Sequence, residues 1–335
     1  MASDGELTEE CARLIPLAGI DPGDERFRIT TRRDSDDLHL SIDRLGLQVA
    51  PLVLPGAPSF IVVSGFRRIA ACQGLGWDSI RARVLQKASP YECALKAIAA
   101  NSLERPLNLI ETSRALRLLD QYAPDGQAPP EDTAALGLPI HAGMAARLKT
   151  LCRLPAEVQD AVLEEAVSFA MACEIGRMEE GLAVTFARLF RQLKTSLNKQ
   201  REIVALVAEI ACREGIDPRQ VLAEDRLSRM LDAQDLDRNQ KTQRIRRLLR
   251  QRRFPALVAA EDNFYSLRQR LTLGDNLQLA PPRDFEGTRF TLTLNFESLE
   301  EVGRLRVKLD ELVAHPDFKT LLTGKSRGFG ETSVP

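Results

Sequence analysis

The stretch that decides the fold is "IVVSGFRRIAACQGLGW", residues 61–77. Its apolar, β-branched beginning predicts a buried strand, and a helical pattern starts directly after Ser64 and Gly65. The first turn of a helix has free backbone N–H groups, and arginine forms charge-assisted hydrogen bonds with phosphate and carboxylate oxygens. These features suggest an anion-binding site at Ser64, Gly65, Arg67 and Arg68, in which Gly65 would let the backbone approach the anion. The alternative is that one arginine packs along the helix and the other pairs with a surface carboxylate.

The composition describes an ordinary soluble protein and narrows the classes of function. The chain has 335 residues, a formal net charge of −1 and 28% charged residues, so nucleic-acid binding would have to come from local basic clusters. Six scattered cysteines without a C-x-x-C pair, and only three histidines, argue against a disulfide framework and against a zinc site. Without a signal-peptide pattern or a long apolar run, the protein is expected to be cytoplasmic and to have no membrane partner.

The segments around the opening stretch predict an α+β domain over residues 1–106. "DDLHLSIDRLG" has helical spacing, with Leu38, Ile42 and Leu45 on one face and Gly46 as the stop. Short strands are predicted in "LIPLAGIDP", "APLVLP" and "SIRARVL", and a helix is predicted to begin at Ser89 with Pro90 in its first turn.

The remaining chain is predicted to contain an all-α middle domain and a small α+β C-terminal region. Residues 107–215 show short helical patterns joined by short turns, which is typical of a helix-turn-helix array. Residues 216–256 form a charged connector and a basic helix, residues 257–323 a C-terminal α+β module, and residues 324–335 a disordered tail. In the module, "TRFTLTLNF" predicts a strand, followed by a helix that Ser298 and Glu301 open as a capping box. This module is either a dimerisation unit or a small self-contained domain.

The basic helix carries the strongest local charge in the chain. Residues 238–253 include eight basic residues and no acid. The outward side chains predicted to contact DNA phosphates are Arg244, Arg246, Arg247 and Arg250. Acidic residues lie just upstream, so the equally weighted alternative is charge pairing within the protein.

The order of these parts resembles the ParB-type partition proteins, with their ParB/sulfiredoxin-like N-terminal domain followed by a helix-turn-helix. Residues 60–76, "FIVVSGFRRIAACQGLG", match the family pattern YxIxxGxRRxxAxxxxG. "LHLSIDRLGLQVAPLVL", "ANSLERPLNLIE" and "TLCRLPAEVQDAV" are similar to three further family segments in the same order. The resemblance covers roughly residues 15–180.

The resemblance implies a CTP-dependent clamp in which the double-arginine box holds the triphosphate. It also implies a magnesium site, for which Asn101 and Glu104 are the candidate ligands because Mg²⁺ needs only one or two protein oxygens. The alternative places Glu104 at a solvated helix end. The family has glutamates where this chain has Phe66 and Ala100. These two replacements are compatible with nucleotide binding and count against CTP hydrolysis.

By the same resemblance, residues 131–154 take the helix-turn-helix position, with "IHAGMAARLKTL" as the recognition helix. Its candidate DNA contacts are His141, Arg147 and Lys149, a small set for base readout but suited to phosphate contacts. The alternative is a helical bundle that no longer binds a specific sequence.

Three functions remain open on the sequence alone. The first is a nucleotide-gated, ParB-like DNA-binding protein in DNA partition or regulation. It would be a homodimer, associated with the nucleoid, with a partition ATPase as a further partner. The second is a nucleotide hydrolase, phosphotransferase or nuclease on the same fold. The third is a non-enzymatic interaction protein that has lost its ligands.

Overall fold

A computed structural model describes residues 10–21, 23–139, 141–285 and 287–323 of the chain. It is a mixed α+β protein that divides into two compact units, Met1–Arg201 and Glu202–Pro335. The fold class predicted for the N-terminal part is therefore confirmed at the level of α+β, whereas the three-domain layout stays a prediction.

The first unit is built on a four-stranded sheet with the strand order β1-β4-β2-β3. β4 pairs antiparallel with β1 and parallel with β2, and β2 pairs antiparallel with β3. The first strand begins earlier than predicted and is followed by a 3-10 turn at Leu17–Gly19. The strands are β1 (Glu10–Pro16), β2 (Leu52–Leu54), β3 (Ile61–Ser64) and β4 (Ser79–Leu85).

Three helices complete this α+β part: α1 (Asp36–Leu45), α2 (Phe66–Gly74) and α3 (Pro90–Ser102). α1 packs against α2, and α3 packs against β3. The core between helices and sheet contains Val53, Val62 and Ile69, each at most 3% exposed. Of the predicted inner face of α1, Ile42 is buried, but Leu45 is 67% exposed because it is the last helical residue before Gly46.

The helices predicted from residue 107 onward are present, with α4 opened by a complete capping box of Asn108 and Glu111. α4 packs against α6 and α7, and α7 packs against α9. The helices are α4 (Leu109–Tyr122), α5 (Pro130–Ala135), α6 (Ala142–Leu151), α7 (Ala156–Leu163), α8 (Phe169–Ile175), α9 (Glu180–Leu193) and α10 (Leu197–Glu214).

The second unit contains more regular structure than the sequence predicted. The connector holds two short helices, and the helix α14 and the strand β5 were not predicted at all. β5 and β6 form a two-stranded antiparallel sheet. The elements are α11 (Pro218–Leu222), α12 (Asp225–Asp232), α13 (Arg238–Arg253), α14 (Pro255–Arg270), β5 (Leu277–Ala280), β6 (Thr291–Leu294), α15 (Leu299–Ala314) and α16 (Pro316–Thr323).

The predicted cap of α15 forms only in part. The Ser298 hydroxyl accepts from the Glu301 N–H at 3.2 Å, but the Glu301 carboxylate accepts from the N–H of Glu297. The predicted disordered tail lies outside the described residues. In the described parts of the chain, no helix has both the length and the apolar character needed to cross a membrane.

Candidate functional site

A pocket of about 430 Å³ opens at the junction of β3 and α2. Its wall also includes the end of α3 and the segment 27–32 that precedes α1. The six residues predicted for phosphate and magnesium binding all line this pocket. They are Ser64, Gly65, Arg67, Arg68, Asn101 and Glu104.

The backbone N–H groups in the first turn of α2 are available to bind an anion. Gly65 is the N-cap residue with φ at +95°, and no side chain caps the first turn. A positive φ is costly for residues with a Cβ, which explains the glycine. Buried Ser64 at the end of β3 places a hydroxyl beside this first turn. Backbone N–H groups and a hydroxyl together are suited to phosphate oxygens.

Arg67 already forms hydrogen bonds with the start of α1. Its Nε donates to the carbonyl oxygen of Asp34 at 2.6 Å, and its Nη2 donates to the Asp37 carboxylate at 2.6 Å. The hydrogen bond from Arg67 lowers the pKa of Asp37. The alternative of pairing with a surface carboxylate therefore describes Arg67.

Arg68 stands in a different environment. It is half-buried, its Nη1 donates to the carbonyl oxygen of Val49 at 2.8 Å, and within the described residues it forms no ion pair with a carboxylate. Burial lowers the pKa of Arg68, although the nearby charge of Glu104 acts in the opposite direction. A half-buried guanidinium without a counter-ion is a favourable position for a bound anion.

The sequence reasoning missed an ion pair beside the pocket. Glu111 is fully buried and accepts from both terminal nitrogens of Arg105, at 2.7 and 2.8 Å, and from the backbone N–H of Thr31 at 3.0 Å. Burial by itself raises the pKa of Glu111, but the hydrogen bonds from Arg105, Thr31 and Asn108 bring it down to about 2. Glu111 thus joins the start of α4 to Arg105, which follows α3, and to Thr31 in the segment before α1. The capping-box spacing from Asn108 to Glu111 was the available signal in the sequence.

The candidate magnesium ligands have the right chemistry at the rim of the pocket. The side-chain N–H of Asn101 donates to the carbonyl oxygen of Ala97 at 2.8 Å, which leaves its Oδ1 available. Glu104 is exposed and is the single carboxylate among the described residues that line the pocket. The described part of the chain contains no cluster of three or more metal-binding side chains. The two oxygens are consistent with a magnesium ion that a ligand's phosphates would help to hold.

Phe66 and Ala100 also line the pocket, at the two positions where glutamates were expected. Phe66 packs against the core, and the guanidinium carbon of Arg28 lies 5.6 Å from its ring centre. Neither side chain has an oxygen that would ligate a metal or activate water.

The candidate DNA contacts on α6 differ in their availability. His141 is exposed at the N-cap position, and the exposed guanidinium of Arg147 lies 5.0 Å from the ring centre of Phe169. Lys149 forms an ion pair with Asp120. α6 packs against α4 and α8. His141 and Arg147 are thus available on the surface, whereas Lys149 already has a counter-ion.

On α13, three of the four candidate arginines have acidic partners within the second unit. The closest nitrogen–oxygen distances are 2.5 Å for Arg246 and Glu202, 3.0 Å for Arg247 and Asp262, and 2.6 Å for Arg250 and Glu261. The exposed Arg244 has no ion pair with any described residue. Charge pairing within the protein therefore occurs on this helix, mainly with acids of α10 and α14 rather than with the upstream connector.

No protein-family model matches the chain, and no curated protein matches it in sequence. The chain is similar to solved structures of ParB proteins. The C-terminally truncated chromosome-partitioning protein ParB from Caulobacter crescentus, complexed with CTP-gamma-S, is 22% identical with a TM-score of 0.26, over 54% of this chain and 98% of that chain. The same truncated protein complexed to the centromeric parS site is 19% identical with a TM-score of 0.33, over 56% and 96%.

A third similar structure is a Pnob8-like ParB-N domain. It is 13% identical with a TM-score of 0.31, over 73% of this chain and 98% of that chain. All three of these similar structures are of ParB proteins.

Proposed function

We propose that this chain is a ParB-like DNA-binding protein of the partition type that binds a nucleoside triphosphate, CTP in the first instance, in the pocket at the start of α2. The observation that carries the proposal is Arg68. Its half-buried guanidinium lines a pocket of about 430 Å³ beside an uncapped helix start and has no carboxylate partner among the described residues. An anionic ligand in this pocket would pair with Arg68 and accept hydrogen bonds from the uncapped start of α2.

The size and the polarity of the pocket fit a nucleotide rather than a single free phosphate. Arg32, Arg68 and the first turn of α2 lie on its wall together with apolar side chains such as Leu38, so both charged and uncharged parts of a ligand find partners. Asn101 and Glu104 would hold Mg²⁺ against the phosphates. Because Phe66 and Ala100 supply no oxygen, the proposal is binding without efficient turnover.

DNA is the proposed macromolecular ligand, bound through His141 and Arg147 on α6 and through the predicted arginines on α13. The ParB from Caulobacter crescentus, which is similar to this chain, is complexed with CTP-gamma-S in one solved structure and to the parS site in another, so CTP and DNA are the ligands to test first. A homodimer, a partition ATPase as partner and association with the nucleoid belong to the same proposal.

Titration calorimetry of the full chain with CTP, ATP, GTP and UTP, each with and without Mg²⁺, tests the nucleotide site. We expect the wild type to bind a triphosphate and Arg68→Ala to lose about tenfold or more in affinity, because a charge-assisted hydrogen bond is removed. Arg188→Ala is the control, since Arg188 pairs with Glu157 on the surface away from the pocket. A wild type that binds none of the four nucleotides overturns the proposal, and so does an Arg68→Ala variant with unchanged affinity.

A further inference from the structure

A second arginine-rich hollow lies outside the nucleotide pocket, between the segment before α1 and the outer face of α4. Its volume is about 160 Å³, which is the scale of one phosphate group rather than of a nucleotide. None of the described residues that line it is acidic. Its polar lining consists of Arg26, Arg28, Arg114, Arg117, Gln121 and Cys152.

Arg114 is the central cation of this hollow. It is half-buried, and its guanidinium donates to the carbonyl oxygen of Thr30 at 3.1 Å and to the side-chain oxygen of Gln159 at 3.4 Å. Within the described residues no carboxylate pairs with it. Burial lowers the pKa of Arg114, and the charges of Arg33 and Arg28 lower it further, whereas Cys152 and the charge of Glu111 act in the opposite direction. The fold therefore holds the positive charge of Arg114 in an environment that destabilises it. A bound anion would stabilise that charge.

Two neighbouring guanidinium groups are also incompletely satisfied. Arg117 donates to the sulfur of Cys152 at 3.5 Å and forms no ion pair with a described carboxylate. Arg28 pairs with Glu25 through Nη1 at 2.6 Å, but its Nε is buried and has no hydrogen-bond partner among the described residues. Three guanidinium groups with unused donors thus surround one small hollow.

The hollow continues onto the face of α6. A second depression of about 510 Å³ shares Arg117 and Gln121 with it and is lined further by Lys149 and Arg153. Its single described acid is Asp120, which is already paired with Lys149. Positively charged side chains therefore line a continuous track from the arginine hollow to α6. A single free phosphate would fill only one end of this track. A nucleic-acid backbone presents successive phosphates along such a track.

We propose that Arg114 and Arg117 bind a phosphate of the DNA backbone and so fix the position of the duplex against α6. This inference rests on the proposed DNA-binding function and names the residues that would anchor the backbone. Such contacts determine register and orientation and carry no sequence information of their own.

The test measures binding of the full chain to a mixed-sequence DNA duplex by fluorescence anisotropy at salt concentrations between about 50 and 200 mM. For Arg114→Gln/Arg117→Gln we expect affinity to fall at low salt and the slope of log affinity against log salt to decrease by about 2. The matched control is Arg188→Gln/Arg191→Gln, which makes the same change in net charge at two arginines of α9 paired with Glu157 and Glu164. The control is expected to keep the wild-type slope.

Arg117→Gln alone guards against misfolding, because the single described polar contact of that guanidinium is with a sulfur atom. Its slope is expected to decrease by about 1. Wild-type binding with unchanged slopes in both variants overturns this inference and leaves DNA binding intact. A wild type that binds no DNA overturns both, while the nucleotide titration still decides the pocket.

Titration with inorganic phosphate distinguishes the two possible ligands of the hollow, a phosphate of the DNA backbone and a free phosphate compound. It is titrated by calorimetry at constant ionic strength into the wild type and both variants. Loss of phosphate binding in the variants together with unchanged DNA binding assigns the hollow to a free phosphate compound and overturns the DNA proposal. Loss of DNA affinity in the variants supports it.

Discussion

Gly65 lies so close to Pro51 that a Cβ added to it would stand 2.7 Å from the Cβ of Pro51. The backbone of Gly65 also has φ at +95°. The glycine is thus required for two reasons: the left-handed turn into α2, and the close approach of Pro51, which directly precedes β2. The sequence predicted a glycine that makes room for a phosphate; in the structure the neighbour it makes room for is Pro51.

We expect Gly65→Ala to destabilise the protein by more than Gly76→Ala. A left-handed residue with a Cβ costs about 1 to 2 kcal/mol, and the clash with Pro51 adds about 1 to 3 kcal/mol. Gly76 is the matched control because its φ is +73° and a Cβ there would meet nothing within 4 Å. Urea unfolding of both variants measures the difference in the free energy of unfolding. Equal losses would show that Pro51 moves aside without cost.

The stretch 61–77 predicted its own strand and helix, because an apolar run and helical spacing are local properties. Its role in phosphate binding stays a prediction. The different environments of Arg67 and Arg68 were not predictable. They depend on Asp37 and Val49, which approach from another part of the chain. Helix α14 was not predicted either, and its Phe264 and Leu267 pack in a cluster that also contains Leu312.

The buried Glu111 gives the fold a defined dependence on pH. Its pKa in the folded protein is about 2, below the ordinary value of 4.5. A carboxylate with a lowered pKa stabilises the fold above its unfolded pKa, and that contribution is lost as pH falls from about 4.5 to about 2. We expect Glu111→Gln to cost about 3 kcal/mol or more at neutral pH, because Arg105 loses its charged partner. The difference from the wild type should shrink across that acidic range.

Chemical unfolding at a series of pH values measures this effect. Glu157→Gln is the control, because Glu157 also pairs with an arginine but is exposed to solvent, where such pairs contribute little. A free-energy difference for Glu111→Gln that stays constant from neutral pH to pH values near 2 would contradict the assigned role of its charge.

The engagement of Arg67 by Asp37 predicts an unusual gain in nucleotide affinity. The two side chains are 2.6 Å apart, so the carboxylate competes with any phosphate for the same guanidinium. We expect Asp37→Asn to bind a triphosphate more tightly than the wild type and to show a steeper salt dependence, because a negative charge near the ligand is removed. Asp36→Asn makes the same charge change one residue away, where no described arginine forms an ion pair. Calorimetry of the two variants therefore separates the effect on Arg67 from the effect of net charge alone. Equal affinities in both would mean that Arg67 does not reach the ligand.

The last prediction concerns the four candidate arginines of α13 and how much each contributes to DNA binding. Arg244 is exposed and unpaired within the described residues, whereas Arg247 is held by Asp262 at 3.0 Å. A phosphate that binds Arg247 has to displace a carboxylate, so its net contribution is smaller. We expect Arg244→Gln to lower the salt slope of DNA binding by about 1 and Arg247→Gln to lower it by less. The double variant Arg247→Gln/Asp262→Asn, which leaves the net charge as it was, controls for the broken ion pair. If Arg244→Gln binds DNA with the wild-type slope, α13 does not contact DNA, and its arginines only form ion pairs within the second unit.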